Sequence, residues 1–402
     1  MWIQLVIALG LGIFLGVCSG ITPGLHVNLA SALIFSASGF LASYFGYLPL
    51  GVLIVSMAVT HAIVDFLPSI YLGAPEEATA LSVMPGHKYL LQGFGHEAVR
   101  LAVTGAFVGV VLSVVFSPLL LIAIPIIYTL VSPAIPYILL GVAIMIILRE
   151  NNNESKFWSF MVFILSGVLG LVVLSMQVKE PMLPMFSGLF GVGMLLYSIR
   201  SKISLPTQNY TGKLNLSLKN MARLSTAGLF SGSIVSLFPG IGPSHSVVIA
   251  SALFGKNKPG EHLFLVGLIS TITALFGLLT LVTISKARNG PIVVLDKLLT
   301  GLTGPEVYLL LCCAVAAAGL AAIIALKMST AAIMLIEKVP YRQLCIAVVL
   351  FILAMVLLIS GPVGILILAT AAVIGLIPNI TGINRSAAMG CLVLPIILNY
   401  LL

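Results

Sequence analysis

Charge is almost missing from this chain. Of its 402 residues only 7% are charged, against 60% hydrophobic, whereas a soluble domain carries about 25% charged residues. No Asp, Glu, Lys or Arg occurs before Asp65. Mean hydropathy is +1.21. So little polar surface cannot cover a soluble core, which excludes a soluble enzyme, a nucleic-acid binder and a disordered scaffold. The alternating short segments of an outer-membrane barrel are missing too. Apolar runs are instead continuous, as from Leu119 to Leu130 and from Leu344 to Ser360. What remains is an all-α polytopic membrane protein. At about 20 residues per crossing, roughly ten to twelve membrane segments fit.

Other absences narrow the reading. The five cysteines, Cys18, Cys312, Cys313, Cys345 and Cys391, lie in apolar stretches without metal-ligand spacing and read as small hydrophobes. Met1 to Gly16 holds no Lys or Arg, so it lacks the basic region of a secretory signal and reads as a retained membrane helix. Gly95-His96-Glu97 lacks the second histidine of a zinc-protease helix, and no glycine-rich phosphate loop occurs. Ser244 and His245 are adjacent and do not face each other as a nucleophile and its base would on a helix. Asp65 is the only credible membrane aspartate, where an intramembrane aspartyl protease needs two. The chain reads as a non-enzyme, with a membrane-embedded enzyme as the outlying alternative.

The net charge of +8 reflects basic loops. Arg200, Lys202, Lys213, Lys219 and Arg223 follow one another without an acid, which predicts a cytoplasmic linker over 200–223. The flanking halves, 1–199 and 224–402, match in two places. Gly16-x6-Pro23-Gly24 precedes Leu29-Ala-Ser-Ala-Leu33, and Gly232-x6-Pro239-Gly240 precedes Ile249-Ala-Ser-Ala-Leu253. Lys88 to Glu97 returns as Lys297 to Glu306, with Gly95 and Gly304 in register. Two matches in one order indicate an internal duplication. Pro removes a backbone donor and Gly relaxes the dihedrals, so each Pro-Gly ends a helix. Open backbone is tolerated in lipid only where protein or a water-filled cavity surrounds it. The expected architecture is therefore two inverted repeats with broken or re-entrant helices, and paired breaks point to a transporter binding site. Two ordinary proline kinks are the alternative.

Residues near the breaks supply polar chemistry. Pro23, Gly24, His26 and Asn28 in the first repeat, and Pro239, Gly240, Ser244 and His245 in the second, are the expected substrate-binding set, joined by Arg385. Helix starts after the breaks offer free N–H groups and partial positive charge to an anion. Arg385 is the only charge after Arg342, and its planar fork suits carboxylate or phosphate; a snorkelling interfacial arginine is the alternative. His61 and Asp65, four residues apart, share a helical face in an apolar run. They are the expected cation-coupling pair, unless Asp65 sits at the interface and caps the next segment. The stretch from Ile70 to Val99, with three acids, two histidines and a lysine, reads as a re-entrant hairpin or a loop folded into the protein, with a solvated loop as the alternative.

These residues also resemble a known family. Gly86, Gly93 and Glu97-Ala98, following Ala74-Pro75 and Ala78-Thr79-Ala80-Leu81, look like the signature of the large membrane subunit of tripartite tricarboxylate transporters, the TctA family. The Gly-x6-Pro-Gly element resembles its N-terminal motif. Pro85 stands where the family usually has Asp, Glu76 replaces a usual Gly, and the chain is shorter than typical members, like a compact, divergent and archaeal branch. The resemblance implies a secondary transporter in the cell membrane that takes up carboxylates on an ion gradient. It further implies a small membrane subunit and an extracytoplasmic binding protein as partners. No cofactor is expected beyond Na+ or H+ as coupling ion, nor any nucleic acid; a homo-oligomer stays open. The Pro-Gly pairs also resemble those of polyprenyl-phosphate transporters, which leaves a lipid-phosphate substrate as the alternative to a small anion.

Overall fold

The computed structural model describes residues 2–22, 27–76, 78–148, 150–200, 206–210, 216–237, 242–255, 257–287, 289–299, 301–336 and 340–401. Among them every element is helical. The first half holds α1 (Trp2–Ile21), α2 (Val27–Ser36), α3 (Ser38–Phe45), α4 (Tyr47–Val64), α5 (Phe66–Tyr71), α6 (Val83–Leu91), α7 (Gly95–Val115), α8 (Ser117–Val131) and α9 (Ile135–Leu148). It continues through α10 (Asn153–Ser175), α11 (Met182–Phe186) and α12 (Gly193–Arg200). The second half holds α13 (Leu218–Ser236), α14 (Pro243–Leu253), α15 (Pro259–Ile284), α16 (Gly290–Leu298), α17 (Gly304–Ile336), α18 (Tyr341–Thr381, interrupted at Gly361) and α19 (Gly390–Leu401).

Among the described residues seven helices are long and apolar enough to cross a membrane, and four shorter apolar helices join them. This agrees with the expected segment number. The protein is a multi-pass membrane protein. In α4–α5 and in α15, 89% of the most apolar window is buried, but in α18 only 22%. The first two therefore form the centre and α18 the rim. Exposed Leu130, Leu358 and Leu366 belong to the lipid-facing surface. Lipid gives helices no hydrophobic reason to associate, so small residues that permit close approach hold them together. On α7 and α15, a Cβ added at Gly105 would overlap Phe264 O, and one at Gly267 would overlap Ala102 O.

These contacts also give helix directions. Gly12, Gly16 and Gly20 of α1 meet Leu53, Met57 and Val64 in turn, so α1 runs with α4. Gly228 and Gly232 of α13 meet Leu268 and Ile272, so α13 runs with α15. Helix α7 runs with α15, because Gly105 meets Phe264 and Gly109 meets Leu268. Gly51 lies by Leu310 and Tyr71 bonds Ser329, so α4–α5 runs with α17. His96 bonds Ser329 and Phe107 lies by Gly319, so α7 opposes α17. Hence α4 opposes α15, and α1 opposes α13. Helices α7 and α17 begin at Gly95 and Gly304, the glycines aligned in the sequence.

Both breaks produce hairpins. Gln4 Nε2 donates to Tyr44 O, which brings the start of α1 to the end of α3. Arg223 near the start of α13 reaches Asn257, just beyond α14, and Glu261 at the start of α15. The two hairpins thus enter from opposite faces. The breaking residues Pro23, Gly24, Pro239 and Gly240, and the adjacent His26, lie outside the described residues. The stretch from Ile70 to Val99 is folded into the protein: Thr79, Ser82, His87 and Glu97 are all buried within it.

Candidate functional site

The ends of both hairpins line one cavity of about 360 Å³. Asn28 comes from α2, Ser236 from α13, and Gly242 and Pro243 from the start of α14. His61 and Asp65 come from the end of α4, Glu76 from the following loop, and Asn289 from the turn before α16. Sequence reasoning placed His61 and Asp65 together, and they do share this cavity. Their hydrogen bonds run to other groups. His61 Nε2 lies 3.1 Å from Glu76 Oε2, and its Nδ1 lies 3.0 Å from Ser19 Oγ. Asp65 Oδ2 accepts from Thr79 Oγ1 at 2.7 Å, and Ser69 Oγ donates to Thr79 Oγ1 at 2.6 Å.

Asp65 does stand at the junction between α4 and α5, but its side chain makes no cap hydrogen bond. It is buried, so it is not a solvated interfacial cap. Glu76, Thr79 and Ser19 were not among the expected site residues. The nearest signal was the polar character of the stretch that carries Glu76 and Thr79. Among the described lining residues, His61, Asp65 and Glu76 are the titratable ones, and no Lys or Arg joins them. Ionised carboxylates here favour a cation and oppose an anion.

A second cavity, of about 470 Å³, contains Arg385. Asn384 starts the short turn Arg385–Met389 between α18 and α19, its side chain accepting from Ser386 N. That turn points Arg385 inward, where it is only 5% exposed, too deep for a snorkelling residue. Its Nη1 donates to Phe190 O at 3.0 Å and its Nη2 to Asn379 Oδ1. Lys88, His262, Asn257 and Ser251 line the same space. The structure does not bring Arg385 together with Asn28 or with the start of α14, which line the other cavity. Ser244 and His245 are buried and are among the lining residues of neither. His245 Nδ1 accepts the Gly242 N–H at 3.1 Å, and Pro243 has no N–H. Two of the donors expected to face an anion at the start of α14 are therefore spent or missing.

One stretch of chain separates the cavities. Glu76 and Ala78 face the hairpin ends, whereas Ala80, Leu81, Met84 and Lys88 face Arg385. Helix α14 does the same, with Pro243 on one side and Val247, Val248 and Ser251 on the other. Among the described residues no group of three or more His, Cys, Asp or Glu side chains is placed to hold a metal ion.

Broken hairpins entering from opposite faces, with a titratable cavity where they end, define a polytopic membrane transporter. The chain belongs to the tripartite tricarboxylate transporter TctA family, whose model matches residues 6–390. It is also 28% identical to an uncharacterized protein of the archaeon Methanocaldococcus jannaschii, over 97% of this chain and 98% of the relative. That near-equal length agrees with a compact branch. No solved structure matches.

Proposed function

We propose that this protein is a secondary active transporter that moves an organic anion, a carboxylate, on a cation gradient of H+ or Na+. The observation that carries the reading is the cavity at the hairpin ends, which holds His61, Asp65 and Glu76 but no described Lys or Arg. Ionisable groups are costly inside a membrane, about 2.5–3.5 kcal/mol each on insertion scales, and mark ion pathways. The opposed directions of α4 and α15 support a division into two inverted repeats, 1–199 and 224–402, joined by a basic cytoplasmic linker over 200–223. Membership of the family supports work with a small membrane subunit and an extracytoplasmic binding protein.

The test is uptake of radiolabelled citrate into proteoliposomes, reconstituted with any partner subunits encoded beside this chain. An imposed proton or sodium gradient should drive uptake. Asp65→Asn should abolish the dependence on the gradient while the protein stays monodisperse in detergent. Gradient dependence unchanged in that variant refutes the role of Asp65.

A further inference from the structure

We propose that the cargo binds in the Arg385 cavity, with a carboxylate on the guanidinium, and not among the hairpin ends. The inference rests on the reading of the chain as an anion carrier and adds the place where the anion sits.

A guanidinium stays protonated in proteins and offers a fork of donors matched to two oxygens. Buried charges are normally paired, because burial strips them of water. Arg385 is 5% exposed, yet its hydrogen-bond partners among the described residues are neutral oxygens, Phe190 O and Asn379 Oδ1. Its Nε has no partner among the described residues. The ion pairs His61–Glu76 and Arg223–Glu261 do not involve Arg385, and no carboxylate among the described residues pairs with it. A buried, unbalanced cation beside an open space of about 470 Å³ is the complement of an anion.

The rest of the lining agrees. Lys88 adds a second cation, and Asn257 and Ser251 add neutral polar groups. The one acid among the described lining residues, Glu150, accepts the Asn384 N–H at 2.8 Å. The volume lies within the usual range of small-molecule sites, about 300–1,000 Å³. Two cations in one cavity favour an anion with more than one carboxylate. The hairpin-end cavity offers the opposite environment, with Asp65, Glu76 and His61 and no described Lys or Arg. The two occupants are thus sorted by charge.

The test is ligand-induced stabilisation of the detergent-purified protein by citrate, succinate, acetate, inorganic phosphate and a polyprenyl phosphate in mixed micelles. Ionic strength is matched with chloride. Citrate or succinate should raise the unfolding midpoint, and acetate should do so less. Arg385→Gln should weaken the apparent affinity by about tenfold to a hundredfold, and Arg385→Lys should recover part of it. Lys88→Gln, at an exposed position, keeps the question answerable if the Arg385 variants do not fold. It should weaken citrate several-fold and acetate little. Stabilisation by none of the carboxylates, or by a phosphate compound alone, overturns the assignment. So does unchanged citrate affinity in folded Arg385→Gln or, where that variant does not fold, in Lys88→Gln. Binding that depends on Arg385, in a protein whose uptake ignores every cation gradient, would instead refute the coupled-transport reading and leave the site standing.

Discussion

Gln208 offers a quantitative test of how the basic linker is held. Its side chain is buried although the surrounding segment reads as a loop. Gln208 Oε1 accepts the Gly95 N–H at 2.9 Å, and its Nε2 donates to Leu90 O at 2.9 Å and to Pro206 O at 3.0 Å. The Asn209 N–H adds a bond to Gly93 O at 2.7 Å. Gln208→Ala leaves the Gly95 N–H without that acceptor at the buried start of α7. Leu90 O keeps the Gly93 N–H, so its loss is smaller. One orphaned buried donor costs about 1–3 kcal/mol, and each ordinary bond contributes a net of about 1 kcal/mol. A local destabilisation of about 2–4 kcal/mol follows, and even about 2 kcal/mol raises the undocked population about thirtyfold. Trypsin reports that population when re-docking outpaces cleavage, and Arg200, Lys202 and Lys213 supply cleavage sites. Linker nicking should accelerate at least tenfold in Gln208→Ala at low protease concentration. Equal nicking rates for variant and parent would show that Gln208 does not hold the linker.

Other outcomes follow from the packing and the charge pattern. Gly267→Val forces α15 away from Ala102 on α7, so the unfolding midpoint should fall by an equivalent of about 1–3 kcal/mol or more. Gly10→Ala, with open space around it, should change little, and equal midpoints for the two variants would refute the close α7–α15 contact. A cysteine at the exposed Asn209 position should resist impermeant thiol reagents added outside intact cells and react once the membrane is opened. Ready labelling from outside would reverse the proposed orientation of the linker.

The breaks were legible because their cause is local: proline removes a backbone donor and glycine relaxes the dihedrals. The ends of α1 and α13 and the starts of α2 and α14 bracket them. His61 and Asp65 were legible because ionisable side chains stand out in an apolar run. Glu76 was not. It lies in a polar stretch with Glu77, and nothing local marks which side chain will turn toward His61 once the chain folds back over α4. Arg385 was visible as a lone charge, but its cavity was not, because Lys88 and His262 arrive there from distant segments. The grip of Gln208 on Gly95 had no compositional sign either, since an amide in a Pro/Thr/Asn-rich loop looks like any solvated residue.

The stretch 78–88 is a party wall between two rooms, and that has a thermodynamic consequence. Occupants on its two sides cannot be independent if either one moves it. By linkage, whatever factor a cation beside Asp65 imposes on an anion beside Arg385, the anion imposes on the cation. The mechanical joint is short. Ser69 and Asp65 hold Thr79 by two hydrogen bonds, and Thr79 is followed directly by the residues that face Arg385. If each bond contributes a net of about 1 kcal/mol, exchange of both can transmit a factor of about thirty and little more. The tightness of coupling in this protein would then be limited by two hydroxyl groups rather than by the charges they connect.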